Sequence, residues 1–167
     1  MSLAFRAKIR CSMGEQPENP MEIATSARTL LEHKGRDLWT ISPEVTVFEA
    51  IQQMASKNIG ALPVVENGLL VGIISERDYM SKVALKGRSS KETAVREIMV
   101  SDVVTVTPHQ TVSECMSLVT ERRVRHLPVV ENGTIIGMVS IGDLVRWTMA
   151  TQRVTIEQLE KYIAGGY

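Results

Sequence analysis

Apolar positions recur along this chain with two periods, and the two periods alternate in the same order twice. Val47, Ala50, Ile51, Met54 and Ala55 fall on one face of a 3.6-residue helix. Ala61 to Val65 and Leu70 to Ser75 are β-rich runs separated by Glu66-Asn67-Gly68, whose Asn-Gly pair supplies the positive φ angles of a tight hairpin. Further on, Val112, Cys115, Met116 and Val119 make a second helical face, and Leu127-Pro128-Val129-Val130-Glu131-Asn132-Gly133 repeats strand and turn. Each helix start is marked by a Thr with Glu three residues later, Thr46 with Glu49 and Thr111 with Glu114, the spacing of a capping box. Ile41 and Val106 end short extended stretches broken by Pro43 and Pro108, and a last helix begins near Asp78 or Asp143. The order is β-α-β-β-α, twice. Pro63 and Pro128 lack a donor and are expected at a strand start or a sheet edge.

The repetition is close. Residues 40–79 align without a gap on 105–144, with 15 of the 40 positions identical. A unit this short seldom buries its apolar face alone, so the copies are expected to pack on each other about a pseudo-two-fold axis. The expected fold class is α/β (α+β). Residues 1–20 read as a flexible N-terminal tail, 34–88 as repeat one, 97–152 as repeat two and 153–167 as a C-terminal helix and tail. Short helices are expected over 21–34 and 90–100, with Lys86-Gly87-Arg88-Ser89-Ser90 as the loop between copies. Thr155 with Gln158 suggests a separate capped helix near the end.

Composition narrows the function. At 167 residues and 44% apolar, the chain can bury one core. Its formal net charge is zero, so a broad footprint for nucleic acid or an anionic membrane is not expected. The apolar runs are too short to span a bilayer. Arg6, Lys8 and Arg10 have no apolar run behind them, so the start does not read as a secretory signal. Cys11 and Cys115 form neither a disulfide framework nor a metal-ligand spacing, and a reduced, cytoplasmic setting is the default. No Walker loop or Gly-x-Gly-x-x-Gly is present. His33 and His109 have no partners at metal or triad spacing, and no catalytic residue is assigned.

A Leu-Pro-Val-Val strand, an Asn-Gly hairpin and a Gly-x-x-Ser-x-x-Asp step, through Gly72, Ser75 and Asp78 and again through Gly137, Ser140 and Asp143, closely resemble a free-standing bacterial tandem pair of CBS domains. The resemblance covers roughly residues 34 to 150. It implies one module with two clefts between the copies, assembly into a homodimer, and an adenosyl ligand in the clefts. AMP is the first expectation, with ADP or ATP next and NAD(H) or S-adenosylmethionine as alternatives.

A carboxylate can accept a hydrogen bond from each of two neighbouring ribose hydroxyls, and Asp78 and Asp143 lie where a helix start favours an ionised group. Ser75 and Ser140 offer hydroxyls beside free N–H groups that suit phosphate. An ordinary capped helix start would show the same pair. Carried over from the family, one cleft combines Lys34, Leu38, Trp39, Ile59, Gly60 and Ala61 with Arg125, His126, Ser140 and Asp143. The other combines Val103, Val104 and Val124 with Gly60, Ala61, Ser75, Arg77 and Asp78. Arg125 is the expected main phosphate contact, its guanidinium giving paired donors. Arg122 and Arg123 fit a solvated helix end. Since Gly142 stands where the first copy has Arg77, the clefts are expected to bind unequally.

The functional expectation is a non-enzymatic nucleotide sensor whose ligand-dependent shape is read by an unidentified partner protein. The competing expectation is a ligand-free scaffold acting through dimerisation and protein–protein contacts.

Overall fold

The computed structural model describes residues 25–164 apart from Arg36, and leaves the side chains of residues 155, 158, 159, 161, 162 and 164 undescribed. The N-terminal tail, Cys11 and the first residues of the expected 21–34 helix lie outside the described residues. Helix α1 (Ala27–Lys34) leads into copy one, which holds α2 (Val47–Lys57), the hairpin β1 (Ala61–Glu66) and β2 (Leu69–Ser75), and α3 (Glu76–Lys82). Copy two has α4 (Val112–Arg122), β3 (His126–Glu131), β4 (Thr134–Ser140) and α5 (Ile141–Ala164).

Local chemistry sets these boundaries. Thr46 and Thr111 form complete capping boxes with Glu49 and Glu114. Asn67 and Gly68 sit at φ 50° and 79°, Asn132 and Gly133 at 50° and 81°, as a two-residue hairpin requires. The first strand of each copy narrows to a single parallel bridge, Ile41 to Val64 and Val106 to Val129. Pro63 and Pro128 therefore stand third in their strands rather than first. Each is tolerated because its nitrogen faces the one-residue bridge: its carbonyl accepts from Ile41 or Val106 at 3.0 Å on that side.

The copies clasp reciprocally. Ala27 and Arg28 donate backbone bonds to Gln110 and Pro108 of copy two, and Thr25 accepts from Val112. In mirror fashion Val95 and Arg96 donate to Val45 and Pro43 of copy one, and Thr93 accepts from Val47. Each lead-in thus packs on the other copy's core. Ala27, Leu30 and Leu31 join Val106, Cys115, Leu127, Val129 and Leu144, whereas Val95 and Ile98 join Ile41, Val47, Met54, Leu62 and Ile74. Arg28 pairs with Glu131, and Arg96 with Glu44 and Glu66.

Glycines 72 and 137 explain the fit. A Cβ on Gly137 would meet two Leu31 methyl carbons at 2.6 and 2.7 Å, and one on Gly72 would meet Met99 Sδ at 2.6 Å. The backbone is bare there because a lead-in side chain occupies the space.

Two expectations are corrected. The segment 90–100 makes only a single 3₁₀ turn, Val95–Glu97, before extending so that Val100 pairs with Ile73. No separate capped helix starts at Thr155, because α5 is continuous from Ile141 to Ala164. No Gly or Pro interrupts the sequence from Asp143 to Ala164, and a helical backbone at Thr155 leaves no capping geometry.

Candidate functional site

Both aspartates sit three residues after the serine that caps their helix. Ser75 donates to Asp78 Oδ2 from its N–H at 3.0 Å and its hydroxyl at 2.5 Å. Ser140 donates to Asp143 Oδ2 at 2.9 and 2.7 Å. The serine oxygens accept in return from the N–H of Asp78 and of Asp143. The same strand-to-helix step is therefore a capping arrangement and a fixed mount for a carboxylate. What differs between copies is what meets the second oxygen and the seam.

At Asp143, Lys34 arrives from the lead-in of the opposite copy and donates to Oδ2 at 2.6 Å and to the Met138 carbonyl at 3.1 Å. Arg146 donates to Oδ1 at 2.8 Å. Asp143 is 7% exposed. Burial acts to raise its pKa, but the Lys34 ammonium and the Ser140 hydroxyl and N–H outweigh it and hold the carboxyl at about 2. His126 stands beside this group, its pKa lowered by burial first and then by Lys34 and Arg125, against the opposing pull of Asp143. Its ring also reaches across the seam: a Cβ on Gly60 would lie 3.5 Å from His126 Cε1.

Asp78 is met from its own helix. Lys82 donates to Oδ1 at 2.8 Å and to the Ile98 carbonyl at 2.6 Å.

The structure gathers Lys34, His126, Ser140 and Asp143 into one group, with Gly60 against the His126 ring. Arg125 itself is exposed, and its carbonyl accepts from Ile141 N–H at 2.9 Å. Ala61 is buried, and Leu38, Ile59, Val103, Val104 and Val124 are half-buried. Val104 and Val124 pack on the second core and Ile59 on the first. Trp39 is 39% exposed, with Lys57 Nζ 3.8 Å from its ring centroid. Arg77 is exposed at the start of α3. Sequence reasoning omitted Arg146 and Lys82, although Asp143 to Arg146 and Asp78 to Lys82 have the spacing of helical ion pairs. It also omitted the Met138 carbonyl.

A shallow open groove follows the edge of β4, lined by Leu31, Lys34, Gly35, Asp37, Ile136, Gly137 and Met138. Among the described residues no three His, Cys, Asp or Glu side chains gather as a metal site, and no helix is long and apolar enough to cross a membrane.

Comparison with known proteins agrees with this architecture. The CBS domain model matches twice, over residues 34–85 and 95–150. The chain is 40% identical to the mitochondrial CBS domain-containing protein CBSX3 of Arabidopsis thaliana, over 98% of this chain and 86% of that one. A CBS-domain protein from Burkholderia ambifaria superposes with a TM-score of 0.73 at 47% identity, covering 77% of this chain and 96% of the other. The CBS pair of MJ0100, solved with 5′-methylthioadenosine and S-adenosylmethionine, shares the fold at a TM-score of 0.69 and 24% identity, over 77% of this chain and 98% of that one. Two matched repeats, reciprocal lead-ins and a Ser–Asp mount at the start of each last helix have one reading: the chain belongs to the CBS-domain family, as a tandem pair that is a regulatory module and not an enzyme.

Proposed function

We propose that this CBS pair is an adenine-nucleotide sensor whose ligand lies in the seam beside Asp143. The observation that carries the reading is the buried Asp143 carboxylate, fixed at a helix start by Ser140 and met by the Lys34 and Arg146 side chains. An ionised carboxylate suits a pair of ribose hydroxyls, and clustered cations suit phosphate. AMP is the first candidate, with ADP, ATP, NAD(H) and S-adenosylmethionine as alternatives. The adenosyl ligands of MJ0100 support the class.

Occupancy would be felt by the fold. Asp143 Oδ2 already accepts three hydrogen bonds, so a ribose reaching that oxygen displaces Lys34, the last residue of α1. Since α1 is anchored in the core of copy two, the ligand competes with a contact that holds the copies together. The resulting shift is limited by the ligand's differential affinity for the two shapes.

A second copy is the proposed structural partner: Met80, Val145 and Met149 leave apolar surface exposed on α3 and α5. The cytoplasm is the proposed setting, and a further protein reads the module's state.

A thermal-shift screen with AMP, ATP, NADH and S-adenosylmethionine tests the reading. At a hundred times its dissociation constant a ligand adds about 2.7 kcal/mol, which raises the melting temperature of a protein this size by about 5–11 °C. A flat response to all of them favours the scaffold instead.

A further inference from the structure

The last helix of copy two outruns its counterpart. At the repeat offset of 65, α3 stops at Lys82, the equivalent of Trp147, and the chain bends into a 3₁₀ turn over Ala84–Lys86 with Val83 seated in the first core. In copy two Thr148 stands where Val83 would be. Its hydroxyl donates to the Leu144 carbonyl at 2.9 Å, and the helix runs on to Ala164. Residues 148–164 of α5 therefore have no α-helical counterpart in copy one.

This extension has two faces. Leu144 is buried in the second core, Trp147 packs against it, and Thr151 is half-buried one turn on, its hydroxyl on the Trp147 carbonyl at 3.0 Å. By Val154 that face has left the core and is exposed. The other face is turned outward. Val145, Met149, Gln152, Ile156, Leu159 and Ile163 follow one another at spacings of four, three, four, three and four, the seam of a coiled coil. Met149 is 65%, Ile156 56% and Ile163 75% exposed. Contiguous apolar surface of this kind marks an interaction site. The helix beneath it is already nucleated by its anchorage in the core, so a short seam suffices.

Charge beside the seam names the occupant and its direction. One flank carries Arg146, Arg153 and Glu160, each seven residues from the next, and the other carries Thr148, Thr155 and Tyr162. In a parallel pair opposite flanks meet, and the charges would face uncharged residues. In an antiparallel pair like flanks meet. Setting Arg153 against the partner's Glu160 then makes two reciprocal ion pairs, whereas sliding by one heptad sets Arg153 against itself or Glu160 against itself. The favoured register leaves Gln152 at the two ends of the seam, where its amide reaches water. Arg153 is free to take part, since its bond to Glu157 at 3.2 Å is solvent-exposed and weak.

We infer that the outer stripe of α5 pairs with the same stripe of a second copy as a short antiparallel coiled coil over residues 152–163. This rests on the pairing of copies proposed above and gives it a place and a direction, independent of nucleotide.

Sedimentation equilibrium of the full chain at low salt tests it, with wild type, Ile156→Glu, Arg153→Glu, Glu160→Arg and the double variant Arg153→Glu/Glu160→Arg. The wild type is expected to be a dimer. Ile156→Glu raises the dimer dissociation constant at least about tenfold with an unchanged circular dichroism spectrum, because it places a carboxylate in the seam. Each single charge reversal weakens the dimer about fivefold or more, and the double variant returns to within about threefold of wild type. A dimer that Ile156→Glu leaves unchanged overturns the inference but keeps the pairing of copies, which then lies elsewhere on the module. So do single reversals without effect, or a double variant no better than either. A monomeric wild type overturns both. The charge-reversal cycle decides the matter even if Ile156→Glu does not fold.

Discussion

Gly137→Ala probes the contact that joins each lead-in to the opposite copy. The new methyl would lie 2.6 and 2.7 Å from the Leu31 methyl carbons and 3.2 Å from Cγ, well inside the 3.5–4.0 Å at which carbon atoms attract. Overpacking a filled core costs about 1–3 kcal/mol, and the preference of a strand for Ala over Gly returns about 0.5–1 kcal/mol. The expected net loss is about 1–2 kcal/mol, or a fall of about 2–8 °C in melting temperature. Leu31→Ala alone leaves a cavity costing about 2–5 kcal/mol. In the double variant the methyl added by Gly137→Ala enters the vacated space, so the second substitution becomes neutral or stabilising. Urea unfolding followed by circular dichroism gives the four stabilities and a coupling energy of at least about 1 kcal/mol. If the two effects add within about 0.5 kcal/mol, as for sites that do not touch, or if Gly137→Ala alone stabilises, the packing argument fails.

Asp143→Asn should cost on the order of 2 kcal/mol at neutral pH, because the carboxyl is held at about 2 in the folded chain against an ordinary 3.8. The folded value is the depressed one, so this stabilisation is complete above pH 4 and disappears as pH falls towards 2; unfolding of wild type and variant across that range measures it. Burial, with Lys34 and Arg125 nearby, lowers the His126 pKa in the fold, so the unfolded chain binds this proton more readily and NMR titration should place the ring below the usual histidine value. Arg123 ends α4 in the left-handed region at φ 53°, where an L side chain is strained, so Arg123→Gly should stabilise by about 1 kcal/mol in the same unfolding assay. Cys115 is fully buried, and burial, aided by Glu114, pushes its thiol to about 11. Peptide mass spectrometry should find it unalkylated by iodoacetamide at pH 8 until denaturant is added.

The repeats, hairpins and capping boxes were legible because each is written in a few adjacent residues: Asn67-Gly68 requires its own backbone angles, and Thr46 needs only Glu49. The crossing of the lead-ins was not. Nothing within 25–34 says that Leu31 belongs over Gly137, more than a hundred residues away, and that pairing becomes visible only when both bare glycines are seen filled from outside. The role of Val100 was hidden for the same reason, since strand pairing depends on a partner rather than on local pattern. At Thr155 local pattern misled: an S/T-x-x-Q spacing marks a helix start only where the preceding backbone is extended, and here the helix arrives already formed. At the site, the Ser–Asp steps were legible, but the contrast between Asp143 and Asp78 was not, because Lys34 reaches Asp143 from more than a hundred residues away whereas Lys82 meets Asp78 from its own helix.

A crystal structure of the full chain grown with AMP tests the central claim most directly. The account predicts one nucleotide on the β4 edge, with ribose hydroxyl oxygens about 2.5–2.7 Å from the Asp143 carboxylate and Lys34 moved from Asp143 to the phosphate. A nucleotide seated elsewhere, or an empty seam with Lys34 still on Asp143 at saturating AMP, would contradict it.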